Sequence, residues 1–290
     1  MDSIIPQLVV NSIIAGSIYS LVALGFNLIF GVTKLFNMAH GVVSAIGGYT
    51  VFFLFKKHGI DLYLAIPLAI LFSGFMGYIS EKFIFSHMRK KKASGMVMLV
   101  ASLGLFTALQ AVIAILFTSQ FQTLSKNVGT TKIYEIYGGI ITQTQLLILC
   151  SVILITLLLG LTIKFTRFGK AVKAINDDLE VARIVGIDTN RVIAKVFFIG
   201  SAIAGVAGIA IGFDTGIEPT MGMNLLFKGV IASIIGGVGN VYGGVFGAFL
   251  IAFIENFGIW KISGEWKDTI AFSVLILFLI FKPNGLFKRK

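Results

Sequence analysis

"LLILCSVILITLLLGLTI", residues 146–163, runs for eighteen residues without a formal charge. A helix needs ~20 such residues to cross a hydrocarbon core ~30 Å thick. Apolar runs recur at 4–30, 35–55, 62–79, 96–117, 192–213, 225–241, 243–260 and 266–281, the last four each with one or two charged residues. The 290 residues are 57% apolar and only 13% charged, with a mean hydropathy of +0.95. Soluble domains carry roughly twice that charged fraction. The pattern predicts an all-α, polytopic transmembrane helical bundle of eight or nine spans, one membrane domain over 1–290. The first run is long enough to tilt or to break near Gly25. The run at 225–241 is short and Gly-rich, and reads either as a full crossing or as a re-entrant segment.

Working outward from these runs, the basic residues fall unevenly. With the N-terminus outside, seventeen of the 24 Lys and Arg lie on the inner side, six lie outside, and Lys228 sits within a span. That asymmetry places the N-terminus outside and the C-terminus in the cytoplasm. It also accounts for the net charge of +11 without a nucleic-acid partner. The opening "MDSIIPQ" has neither a basic stretch nor a small-residue cleavage site, so the first span is expected to stay as an anchor. One cysteine, Cys150, and three histidines, His40, His58 and His87, offer no intramolecular disulfide and no Cys/His metal cluster.

Two segments outside the spans carry patterns of their own. The outer loop 118–145 holds "TKIYEIY" and "IITQTQ" around Gly138-Gly139, which predicts a small hairpin. The inner loop 164–191 holds "RFGKAVKAINDDLEVARIVGIDTNR". There Val172, Ile175, Leu179 and Ala182 recur at spacings of three and four and share a helical face. Asp177 or Asp178 caps a short second helix, Gly186 stops it, and Asp188 or Thr189 caps the span that follows. An amphipathic helix resting on headgroups would carry bulky apolar residues and mostly basic ones opposite. Small apolar residues with four acids fit a protein groove.

This loop resembles the coupling loop of ABC importer permeases of the branched-chain amino acid type, in the shorter of that family's two transmembrane subunits. Gly169, Ala174, Asp178, Ala182, Gly186 and Ile187 match the family's rhythm. "GFNLIFGVTKLFNMAHG" (25–41) is similar to its first span and Asn-x-Ala-His-Gly entry to the second. "FKGVIASIIGGVGNVYGGVFGAFLIAFIENFG" (227–258) resembles its Gly-rich seventh and eighth spans. "FKPNGLF" (281–287) resembles its C-terminal ending. Val42 departs from the acidic or polar residue often found after His-Gly. The resemblance implies inward transport of branched-chain or other hydrophobic amino acids. Related permeases move urea, amides, nucleosides or sugars. It further implies ATPase subunits carrying ATP and Mg, a second permease subunit (a longer relative or a second copy), and an extracytoplasmic substrate-binding protein, all in a bacterial or archaeal cell (inner) membrane. The ATPase would grip the loop through Gly169, Ala174, Asp178, Leu179, Ala182, Gly186 and Ile187, and charging Leu179 and Ala182 should uncouple transport.

The chain itself carries no phosphate cradle. A P-loop needs G-x-x-x-x-G-K-[ST], and Gly169-Lys170 is followed by Ala171. ATP hydrolysis must therefore come in trans, and the chain binds no cofactor of its own. Polar residues inside spans are costly and so informative. Asn37, His40, Ser102 and Glu255 are the candidates for a translocation path. Glu255 either lines that path or sits in a buried pair near the outer edge. Lys228 reads as snorkelling to the outer interface. A rival class, the ion-coupled secondary carrier, would need buried charge pairs, and the sequence offers Glu255 without an evident cation at its depth.

Overall fold

The structure is a computed structural model that describes residues 4–124 and 132–287. Residues 125–131 of the outer loop, with Lys126, lie outside the described residues, as do the terminal basic residues 288–290. Helices form where the apolar runs predict them: α1 (Ile5–Thr33), α2 (Ala39–Val51), α3 (Leu62–Ile79), the short α4 (Ser86–Lys90), α5 (Gly95–Phe117) and α6 (Gln143–Phe165). Then come α7 (Arg167–Asp177), α8 (Leu179–Ile184), α9 (Thr189–Asp214), α10 (Met221–Gly236), α11 (Val241–Gly258) and α12 (Lys267–Phe281). Single π-helical turns, Phe52–Lys57 and Ser80–Phe85, extend α2 and join α3 to α4. Among the described residues, seven continuous helical segments are long and apolar enough to cross a membrane. With the shorter α10 and α12, they match the nine runs of the sequence.

The bundle is built inside out around α1, which is buried along most of its length and packs against α9, α10 and α11. Its buried serine hydroxyls are closed locally: Ser12, Ser17 and Ser20 each donate to the carbonyl four residues back, at 2.6–2.7 Å. Such back-bonding leaves no orphan donor in a medium without water. The outward faces of α3, α5 and α6 are apolar instead, with Leu64, Leu71, Ile115, Leu116, Leu157 and Leu158 exposed. A solvated protein rarely shows an apolar surface of that extent, and acyl chains are its natural cover.

Close backbone contact fixes the centre. A side chain on Gly208 of α9 would run into the Ser44 backbone of α2, and one on Gly236 into Gly243 across the α10–α11 turn. Gly25 does not break α1, as its length had suggested. The helix continues to Thr33, and the absent Cβ makes room for the Gly200 carbonyl and the His40 ring. α10, at 16 residues, spans roughly 24 Å, short of a hydrocarbon core. The shortfall is tolerated because α10 is nearly enclosed by protein. Its last carbonyls accept from the tail, Leu286 N to Ile235 O at 2.8 Å and Phe287 N to Gly236 O at 3.2 Å. That gives the "FKPNGLF" ending a structural role as the C-terminal cap of α10.

At one end of the bundle, β1 (Ile133–Ile136) pairs antiparallel with β2 (Gly139–Thr142). Tyr137 and Gly138 both take positive φ, the turn that matches strand twist. Gln7 of α1 holds the hairpin, accepting from Ile140 N at 2.8 Å. Thr142 and Gln145 then form a capping box that starts α6. At the opposite end lie α7 and α8.

Candidate functional site

The loop between α6 and α9 is two short helices held by caps at every junction. Thr166 Oγ1 accepts from Gly169 N and opens α7. Asp178 ends α7 and, through Oδ1, accepts from Glu180 N at 2.8 Å and Val181 N at 3.0 Å to open α8. Gly186, with φ of 86°, stops α8. Asp188 accepts from Arg191 N at 3.1 Å and opens α9 at Thr189. Lys34 at the end of α1 donates to Asn176 of α7 at 2.7 Å. The element is therefore braced against the bundle rather than floating on it.

Its apolar face is turned inward. Val172, Ile175 and Ala182 are buried in the chain's own core, with Ala174, Leu179 and Ile187 packed beside them. Gly169 is buried where a Cβ would strike the Ile163 backbone. So the residues picked out by the periodicity seat the two helices on the bundle, and charging Ala182 would unseat them. The outward surface of α8 and its turn is a different set: Val181 is 53% exposed, Ile184 83% and Val185 67%. Glu180 and Arg183 flank them, both exposed. The periodicity could not separate the two faces, because apolar residues occupy both.

Behind α7, a cavity of about 390 Å³ separates it from the α10–α11 turn, lined by Asn27, Lys164, Lys173, Asn176 and Asn240 among others. Asn27 ties that turn to α1: its Oδ1 accepts from Gly239 N at 3.0 Å and its Nδ2 donates to Asn240 O at 3.2 Å.

Three of the four in-span polar candidates gather where α1 passes into α2. Asn37 Oδ1 accepts from Ala39 N at 3.1 Å, starting α2. Ser102 Oγ accepts from Met38 N at 3.0 Å and donates to Leu99 O at 2.7 Å. His40 is buried with its ring against Gly25. Val42 is fully buried, against Gly222 of α10. Glu255 lies apart from this group, toward the hairpin end, and there the structure corrects two readings.

Glu255 is 0% exposed and does have a cation: Lys228 Nζ stands 2.5 Å from its Oε1. Lys228 is 7% exposed, so it does not snorkel but turns inward. Tyr19 donates to Glu255 Oε2 at 3.0 Å, Lys228 also meets Asp268 Oδ1 at 2.7 Å, and Lys267 lies 3.8 Å from Glu255. This joins α1, α10, α11 and α12. A second closed pair, Glu81 with Arg89, spans the π turn after α3, both guanidinium nitrogens reaching the carboxylate. Such bidentate pairing satisfies a buried carboxylate.

The model of the family "Branched-chain amino acid transport system / permease component" matches residues 8–279. The permease protein BraD of the high-affinity branched-chain amino acid transport system of Pseudomonas aeruginosa is 30% identical, over 98% of this chain and 95% of its own. LivH of Escherichia coli strain K12, the permease of the corresponding system, is 31% identical over the same shares. Among solved structures, PsaBC from Streptococcus pneumoniae in complex with Fab aligns over 94% of this chain and 91% of its own, with a TM-score of 0.53 and 12% identity, a likeness of fold alone. A family match over nearly the whole chain, carried by the same helices that pack the bundle, means that this protein belongs to the permease components of branched-chain amino acid transport systems.

Proposed function

We propose that the chain moves hydrophobic amino acids, branched-chain ones first, into the cell as one transmembrane subunit of an ATP-driven importer. The observation that carries this reading is the near full-length match to permeases of that substrate class. The hairpin end faces outward and receives substrate from an extracytoplasmic binding protein. The basic bias of the loops supports that orientation, with the α7–α8 end in the cytoplasm. A second permease subunit, a longer relative or a second copy, completes the path, with Asn37, His40 and Ser102 nearest to it. ATPase subunits holding ATP and Mg contact α8 through Val181, Ile184 and Val185.

Gly169, Ala174, Asp178, Leu179, Ala182, Gly186 and Ile187 act here as positioning residues. They seat and cap α7 and α8, so that motion of the ATPase is passed to α6 and α9 and not absorbed by a loose loop. The cavity behind α7 leaves it room to shift, and rigid helices rocking on a stiff handle are a known form of transport motion. The buried pair Lys228–Glu255 is a feature that an ion-coupled carrier would also need, so it does not separate the two classes; the near full-length match to permeases of ATP-driven systems favours the importer.

The test is uptake of labelled leucine in cells lacking this chain and in cells complemented with it. Uptake should fall to background without the chain. In complemented cells it should survive an ionophore that collapses the proton gradient while ATP is maintained. Uptake lost with the gradient alone would contradict the reading.

A further inference from the structure

At the hairpin end, α1, α6, α9, α11 and α12 leave a cavity of about 230 Å³ between them. It lies below the roughly 300–1,000 Å³ typical of drug-sized ligands and so suits a small metabolite. Its walls are chemically divided. Ile14, Ile18 and Ile211 give an apolar side; Asp214 gives a carboxylate, Lys267 an ammonium, and Asn11 a carboxamide. Asn256 and Tyr19 complete the polar rim.

The two charges are incompletely matched. Asp214 accepts from Gln145 Nε2 at 2.9 Å but has no cationic partner among the described residues. Gln145 is itself committed, since its Oε1 accepts from Thr142 N. Lys267 is held loosely, 3.8 Å from a Glu255 that Lys228 and Tyr19 already satisfy at shorter range. Lys228 and Lys267 balance Glu255 and Asp268, so an ionised Asp214 leaves this corner one negative charge in excess. An ammonium against Asp214 would cancel that excess, and a carboxylate would give Lys267 a full partner. A molecule with both groups on one carbon and a short branched apolar tail would offer a partner to each of the three walls.

We infer that this cavity binds a free hydrophobic α-amino acid of the leucine or isoleucine kind. Asp214 takes the α-ammonium, Lys267 the α-carboxylate, and Ile14, Ile18 and Ile211 surround the side chain. The substrate class rests on the importer reading above; the zwitterion geometry rests on the cavity itself. The site holds substrate within this subunit, at the end where a binding protein would release it.

Equilibrium binding of labelled leucine to the full chain in lipid nanodiscs tests it. The wild type should bind saturably, with no competition from 3-methylbutylamine or 4-methylpentanoate, which each carry one of the two charges. Asp214→Asn and Lys267→Gln should each weaken binding about tenfold or more, as the loss of a charge-assisted contact does. Ala15→Phe, which fills the cavity without touching a charge, should abolish it, and Glu135→Gln on the exposed hairpin should leave it intact. Should Asp214→Asn misfold, Thr215→Cys in a Cys150→Ser background keeps the test open, since leucine must shield that rim thiol from a thiosulfonate reagent. Equal binding by wild type, Lys267→Gln and Ala15→Phe, or no saturable binding at millimolar leucine, overturns the site. If cellular uptake of leucine still requires the chain in that event, the importer reading stands without it.

Discussion

Replacing Ile184 and Val185 together with aspartate is expected to reduce ATP-driven uptake about tenfold or more while the amount of chain in the membrane stays unchanged. The first half follows from exposure. These two side chains stand out beside the helix stop at Gly186, among charged neighbours and largely uncovered by the described residues. With Val181 they form a small apolar cluster beside Glu180, Arg183 and Asp188, the composition of a protein contact with a charged rim. Interfaces concentrate their binding in such small central clusters, and burying an unpaired aspartate there is heavily penalised. The second half follows from the same exposure: substitutions that face solvent change stability by only about 0.5 kcal/mol. Ala182→Asp is the contrast. That residue is buried, so its charge should reduce the folded protein itself and not merely its coupling. Immunoblots of membranes beside uptake rates separate the two outcomes. Full uptake by the double variant would move the ATPase contact elsewhere.

The second large effect is at Lys228. Lys228→Met should destabilise the protein by about 3–5 kcal/mol, because it strands Glu255 as an uncompensated charge in the bundle. Lys267 at 3.8 Å is too distant to replace a contact of 2.5 Å. Adding Glu255→Gln to Lys228→Met removes the stranded charge and should recover most of the loss, since apolar or neutral replacements of a buried pair are often close to neutral. Thermal unfolding in detergent, followed by retention of the monodisperse peak, measures both. A single variant as stable as wild type would mean that Glu255 is protonated in the folded protein and that the pair is not ionic.

The same two places mark the limit of what the sequence carries. Span positions were legible because hydrocarbon demands long apolar helices, and the caps were legible to within a residue (Asp177 or Asp178, Gly186, Asp188 or Thr189) because each serves its own backbone neighbours; the structure selects Asp178 and Asp188. Hidden was angular position. Lys228 reads as a snorkelling lysine because its depth along the chain is known and its direction is not. Whether it points to the interface or to Glu255, twenty-seven residues on, depends on how α10 and α11 pack. Likewise Val172, Ile175 and Ala182 were recognised as one face, but a repeat of three and four does not say whether that face meets a partner or the chain's own core. The corner formed by Gln145, Asp214 and Lys267 was missed altogether. Three residues from three helix ends have no spacing in common, and each alone reads as an ordinary interfacial polar group. Gly25 misled for a related reason: a glycine in a long apolar run marks a break or a close contact equally well, and only the presence of Gly200 and His40 across from it decides.

On the proposed reading, this bundle is driven from outside itself, through α8. The most direct measurement is to tag the chain in its native membrane, solubilise it gently, and identify and count what accompanies it. A P-loop ATPase in fixed stoichiometry is expected, lost from the preparation when Ile184 and Val185 are aspartate. The chain recovered alone, or with no nucleotide-binding partner at any tag position, would contradict that reading.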